Sequence, residues 1–175
     1  MLIISNHVKD KLNLSKEAII RINMAWLHSY ENLVDIIEGI SLNKIFLDFP
    51  QGRNKPPKPT LTFEDALKVM EKYENILYYA TSNAESPEYF KKLRTIIPQH
   101  ITIVPKIETT IGVTKVLEIV EACNTNTVML DKEDLYVSVF NNSEKFFDLV
   151  NEVRNKCKDI NLLELSGVVF CEYTK

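Results

Sequence analysis

The stretch 101–136, ITIVPKIETTIGVTKVLEIVEACNTNTVMLDKEDLY, decides the fold. Ile101 to Glu108 reads as a β-strand and about Gly112 to Cys123 as an amphipathic helix. Thr127 to Asp131 reads as a second strand, running into a short polar turn that ends at Asp134. This is one βαβ unit, so both strands open on the same edge of a sheet, about 5 Å apart if they are neighbours. Glu108 and Asp134 are expected to face each other there. Side chains alternate along a strand, which puts Lys106 and Glu108 on one face and Pro105 and Ile107 on the other. Two carboxylates at adjacent strand ends form a hard-oxygen site suited to a divalent ion that keeps several waters, such as Mg2+. Lys106 stands beside it as a cation or proton donor.

Working outward, the same alternation of strands and helices recurs. Ala18 to Met24 is β-branched and strand-like, with Arg21 and Asn23 on one face. Ser29 caps a helix that turns Leu33, Ile36 and Ile37 inward and stops at Gly39. Lys44 to Phe49 is a strand with Asp48 near its C-terminal end. Pro50 to Pro59, PQGRNKPPKP, is an extended basic loop at the site edge, because its prolines exclude helix and inner strand. Thr62 to Asp65 matches a capping box before a helix burying Ala66, Val69 and Met70. Ile76 to Thr81 is a strand, and Ser86-Pro87-Glu88 opens another helix. Asn142 or Ser143 caps a helix through about Cys157, and Leu162 to Phe170 is a last apolar strand with an interruption at Gly167. Met1 to Lys16 reads either as a short strand, LIIS, or as an arm.

Strands that alternate with helices argue for a parallel α/β sheet under helical cover, a partial or reduced (β/α) TIM-type barrel. A closed eight-stranded barrel takes at least about 200 residues, whereas this chain has 175, enough for one domain over 1–175. Its net charge is −3 with Lys and Glu intermixed, which argues against a nucleic-acid surface. No apolar run is long enough to span a membrane, and MLIISNHVKDK lacks a secretory core, so a cytoplasmic location is expected. Cys123, Cys157 and Cys171 lack zinc-site spacing and read as buried free thiols. His7, His28 and His100 read as surface or turn residues.

Several motifs together resemble pyruvate kinase. Pro105-Lys106-Ile107-Glu108-Thr109, Gly112-Val113, Glu118-Ile119 and Val128-Met129-Leu130 followed by Glu133-Asp134-Leu135 are similar to that family's KIE(N/T)-x-x-G-V-x-x-x-x-E-I segment and its I-M-V-A-R-G-D-L-G strand. Arg21-Ile22-Asn23 resembles R-(L/I)-N, Asp48 the aspartate of L-L-D-x-x-G-P, and Gly52 with Lys55 the G-P-x-I-R loop. Leu61 to Asp65 resembles L-T-x-x-D, and Ser82 with Leu93-Arg94 resembles S-F-V-R followed by L-R. The resemblance runs in order over roughly 18–136.

It implies that Lys106 is a catalytic acid or phosphate-binding cation and that Glu108 and Asp134 hold Mg2+ or Mn2+. Arg21 would bind substrate phosphate or carboxylate, Asn23 and Asp48 would hold K+, and Ser82, Glu133 and Asp134 would line the substrate site. The wider phosphoenolpyruvate and pyruvate superfamily, which includes citrate lyase β-type aldolases, keeps a similar acidic pair. The family's nucleotide-covering domain, its C-terminal domain, its first βα unit and its A-T-Q-M-L strand have no counterpart here. The R-G-D-L-G turn is Lys132-Glu133-Asp134-Leu135-Tyr136, without the glycines that expose main-chain N–H groups. The expectation is therefore a domain that binds a divalent metal and a small oxo-acid or enol phosphate without ADP-dependent phosphoryl transfer. Two alternatives stand beside it. One is a metal-dependent C–C lyase of the citrate lyase β type. The other is a catalytically degenerate barrel acting as an assembly module, whose open edge a second copy or partner chain would cover.

Overall fold

A computed structural model describes residues 3–7, 17–53 and 56–165. Seven strands form one sheet in sequence order: β1 (Ile3–Ser5), β2 (Ile19–Asn23), β3 (Lys44–Phe49), β4 (Ile76–Thr81), β5 (Thr102–Ile107), β6 (Thr127–Asp131) and β7 (Asn161–Leu165). Each neighbouring pair is parallel. Six helices connect them: α1 (Tyr30–Gly39), α2 (Phe63–Lys72), α3 (Pro87–Ile96), α4 (Thr110–Ala122), α5 (Lys132–Ser138) and α6 (Ser143–Lys156). Sequential order with every strand parallel is the topology of a curled, partial TIM-type barrel.

The capping expectations hold in detail. Ser29, Thr62, Ser86 and Asn142 each accept a hydrogen bond from a first-turn N–H, and Thr62 with Asp65 completes a reciprocal capping box. Thr109, not among those expected, caps α4 in the same way. Of the two readings of the N-terminal stretch the strand holds: Ile3–Ser5 pairs with β2, so a strand does precede the arginine-bearing one. One expectation changes. The stretch after β6 is a seven-residue helix, because Asp131 caps it as an N-terminal residue would. Only Asn161–Leu165 of the final strand is described, while Lys55, Gly167 and Cys171 lie outside the described residues. Cys123 and Cys157 are buried free thiols, and His7, His28 and His100 are exposed. No helix among the described residues is long and apolar enough to cross a membrane.

Alternation along the strands gives the sheet two faces. The outer one, with Ile20, Ile22, Ile45, Leu47, Tyr79, Ile103, Val128 and Leu130, packs against the helices as the main core. The inner one carries a smaller apolar cluster, Ile19, Phe46, Ala80, Val104 and Met129, one residue from each of five successive strands. Moving two residues toward the C-terminal end of each strand gives Arg21, Asp48, Ser82, Lys106 and Asp131. All five are polar. The inner face thus changes from apolar to charged at one level, on the edge where barrels of this kind carry their sites.

Candidate metal and oxo-acid site

Lys106 is the hub. Its Nζ lies 3.0 Å from Glu108 Oε1, 3.5 Å from Asp48 Oδ1 and 3.8 Å from Asp131 Oδ2, and it donates to Ser82 Oγ at 3.2 Å. The side chain reaches Asp48 across β4 because the intervening residue, paired with Asp48, is Ala80. Asp48 also accepts from Arg21 Nε at 2.9 Å and from a second nitrogen of the same guanidinium. Arg21 on β2 and Asp48 on β3 lie diagonally across the strand pair, Asp48 being opposite Asn23 in register.

Burial by itself would lower the Lys106 ammonium, but Asp48, Glu108 and Asp131 together outweigh it and hold the group above its ordinary value. Burial likewise raises Asp48, and the two cations more than reverse it, so this carboxylate stays ionised. Glu108 differs. Burial raises it, and Lys106 with the Asn83 N–H recovers only part, so its carboxyl sits above the usual range.

Glu108 is 4% exposed. Its Oε2 accepts from the Asn83 N–H at 2.8 Å. Its Oε1 is close to the ammonium but outside hydrogen-bond geometry, and so has no hydrogen-bond donor. Asn83 adopts φ +54° and donates its side-chain amide to Gln51 O at 2.7 Å, tying the loop after β4 to the loop after β3. Gly112, at the start of α4, fits under this loop: a Cβ there would meet Ala84 O at 2.7 Å.

One oxygen from each of Glu108, Asp131 and Asp134 lies within 4.8 Å of the others. Within the cluster Lys106 faces Asp48, Glu108 and Asp131, and Arg21 also pairs with Asp48. With all-oxygen ligands and a buried carboxylate oxygen lacking a donor, the donor set fits Mg2+ or Mn2+. A cleft of about 250 Å³ opens over it, lined by Gly52, Arg53, Ser82, Glu108, Thr109 and Asp134 among others.

The expected residues separate on this geometry. Lys106, Glu108, Asp134 and Ser82 come together, and Arg21 joins them through Asp48. Glu133 does not: it is exposed and lines a second hollow with Lys132, Tyr136 and Phe146. The cause is that 132–138 is helical, which turns adjacent residues about 100° apart. Asn23 and Asp48, the residues expected to hold K+, are engaged by other partners: Asn23 accepts from the Ala25 N–H at 3.1 Å to cap a short 3₁₀ turn, and Asp48 pairs with Arg21 and Lys106. Asp131 and Asn83 are the additions. The spacing Asp131-x-x-Asp134 at a strand end was a capping signal for the first. Asn83 bonds through its backbone, which leaves no sequence signal.

No protein-family model matches the sequence, and no curated protein matches it either. Solved structures do. A citrate synthase, SbnG, aligns with TM-score 0.67 at 12% identity over 94% of this chain and 77% of that one. A HpcH/HpaI aldolase/citrate lyase family protein from Burkholderia cenocepacia aligns with TM-score 0.66 at 10% identity, over 95% and 79%. The chain shares their fold. A citrate lyase beta subunit from M. tuberculosis, complexed with oxaloacetate and magnesium, aligns with TM-score 0.59 at 12% identity, over 93% and 76%. The partial barrel has the fold of these solved structures and carries its carboxylate cluster at the C-terminal ends of its strands.

Proposed function

We propose that this protein is a divalent-metal-dependent enzyme of the aldolase/citrate lyase type, making or breaking a C–C bond next to the carbonyl of a small oxo-acid. The observation that carries the proposal is the buried Glu108 carboxylate, whose Oε1 has the Lys106 ammonium at 3.0 Å but no hydrogen-bond donor, and which shares a group of carboxylate oxygens within 4.8 Å with Asp131 and Asp134. Glu108 and Asp134 would hold Mg2+ or Mn2+. Such an ion, when bound, polarises a carbonyl oxygen and favours the enolate form of the substrate. Lys106 supplies a fixed positive charge beside the developing enolate, kept in place by Ser82 and Asp48. Arg21, anchored on Asp48, has donors left over for a substrate carboxylate. The fold neighbours support this chemistry over the pyruvate kinase reading, and the departures from that family's sequence argue against phosphoryl transfer, leaving an enol phosphate as the less favoured ligand.

The first test is thermal shift with Mn2+, alone and with oxalate as an enolate mimic. Wild type should gain stability and Glu108→Gln should not. Pyruvate release from 4-hydroxy-2-oxo acids then reads the lyase activity. A wild-type protein that responds to neither the metal nor the metal with oxalate contradicts the proposal.

One observation favours a second reading. β1 and β7 end the sheet without a further partner among the described residues, and exposed strand edges invite a second copy or another chain. Light scattering separates the two, since an assembly module should be oligomeric and indifferent to metal.

A further inference from the structure

We infer that Asp131 is a third ligand of the divalent ion, so that the centre takes its metal before any oxo-acid arrives. This rests on the reading of Glu108 and Asp134 as an ion-binding pair and goes beyond it.

Asp131 ends β6 on the inner face, two residues beyond Met129, and is 6% exposed. It also caps α5, and this brings it next to Asp134 three residues on. Neither of its oxygens is tightly committed. Oδ1 accepts the Asp134 N–H at 3.3 Å, a long bond, and Oδ2 is 3.8 Å from Lys106 Nζ, the longest of that ammonium's three carboxylate contacts. A strongly paired aspartate would show shorter distances to both.

The independent sign of a ligand is Glu108, whose buried Oε1 lacks a donor and belongs to a side chain within the same group of oxygens. Glu108 and Asp131 are buried carboxylates side by side with the half-buried Asp134, and Lys106 divides its charge among Glu108, Asp48 and Asp131. If Asp131 turned toward an ion, Lys106 would keep Ser82 and Asp48 as partners.

The functional consequence follows from ligand number. A hard cation held by two carboxylates relies on water and substrate oxygens for the rest of its shell. A third carboxylate adds fixed charge and one more protein oxygen, which makes affinity for the ion independent of substrate.

The test is titration of the full chain with Mn2+, reading free Mn2+ by electron paramagnetic resonance, with and without oxalate. Asp131→Asn keeps the capping oxygen and the volume, and Asp131→Ser, another good cap, serves if the first variant folds poorly. Wild type should bind one Mn2+ without oxalate. The variant should bind it at least tenfold more weakly, regaining most of the affinity when oxalate is present. A loss of less than threefold without oxalate, or a wild type that binds Mn2+ only together with oxalate, overturns this inference and leaves the Glu108–Asp134 reading standing. A wild type that binds no Mn2+ even with oxalate overturns both.

Discussion

Lys106 Nζ stands 3.0 Å from Glu108 Oε1 yet donates its hydrogen bond to Ser82, so the two charges attract without saturating each other. The glutamate keeps one oxygen for another cation, and the lysine keeps its charge whether or not that cation is bound. Glu108 and Asp134 both line the cleft, and an oxygen of Asp131 lies within 4.8 Å of an oxygen of each.

Replacing Lys106 by methionine preserves length and removes the only cation shared by Asp48, Glu108 and Asp131. Breaking a buried pair by deleting one partner costs about 3–5 kcal/mol. Urea denaturation of Lys106→Met should show a loss in that range, and Mn2+ should restore part of it by supplying the missing positive charge. A loss under about 1 kcal/mol would mean that the cluster is solvated, in contrast to the burial of its members.

Gly112 tests the loop that presents Asn83 to Glu108. A Cβ at this position meets the Ala84 carbonyl at 2.7 Å, and backbone cannot yield as a flexible side chain does. Gly112→Ala should cost about 1–3 kcal/mol, the usual range for overpacking, and should weaken the response to Mn2+ by displacing the 82–85 segment. Unchanged stability in denaturant would show that α4 and this loop are not held together as closely as described.

Much of this arrangement was legible in the residues. The parity of Lys106 and Glu108 put them on one face, because alternation is a property of the backbone that any strand obeys. What could not be read was where the second acidic group sits. Treating 132–134 as an extended turn let Glu133 share the site with Asp134, but Asp131 closes a helical turn instead and takes the inner position itself. The choice between turn and helix over so few residues depends on capping, which tertiary packing decides. An acid at a strand end reads the same whether it serves a bound ion or an arginine from the next strand; here Asp48 lies opposite Asn23 in register and takes the guanidinium of Arg21 diagonally.

Glu164 should dominate one part of the acid limb of stability. Its bonds from Arg154 and Lys132 hold the carboxyl at about 2, against an ordinary 4.5. A depressed carboxylate contributes stability that is full above its unfolded value and lost as pH falls through the folded one. Between pH 4.5 and about 2, wild type should therefore lose stability faster than Glu164→Gln, by about 1 kcal/mol for a partly exposed network of this kind. Parallel curves for the two proteins would show that the Arg154–Glu164 pair contributes nothing in solution.

The thiols offer a check on the core. Burial pushes Cys123 up to about 12 and raises Cys157 as well, so neither forms thiolate at neutral pH. Iodoacetamide on native protein, followed by peptide mass mapping, should leave the peptides bearing Cys123 and Cys157 unmodified, and both should react fully in urea. Labelling of either within minutes under native conditions would contradict the packing of α4 and α6 over the sheet.

The most direct test of the whole account is an anomalous difference map from a crystal grown with Mn2+ and oxalate. A single strong peak should lie in coordination range of the Glu108 and Asp134 carboxylates, with the oxalate in the cleft beside Lys106. A peak elsewhere on the protein, or clear density for these residues with no peak between them, would contradict it.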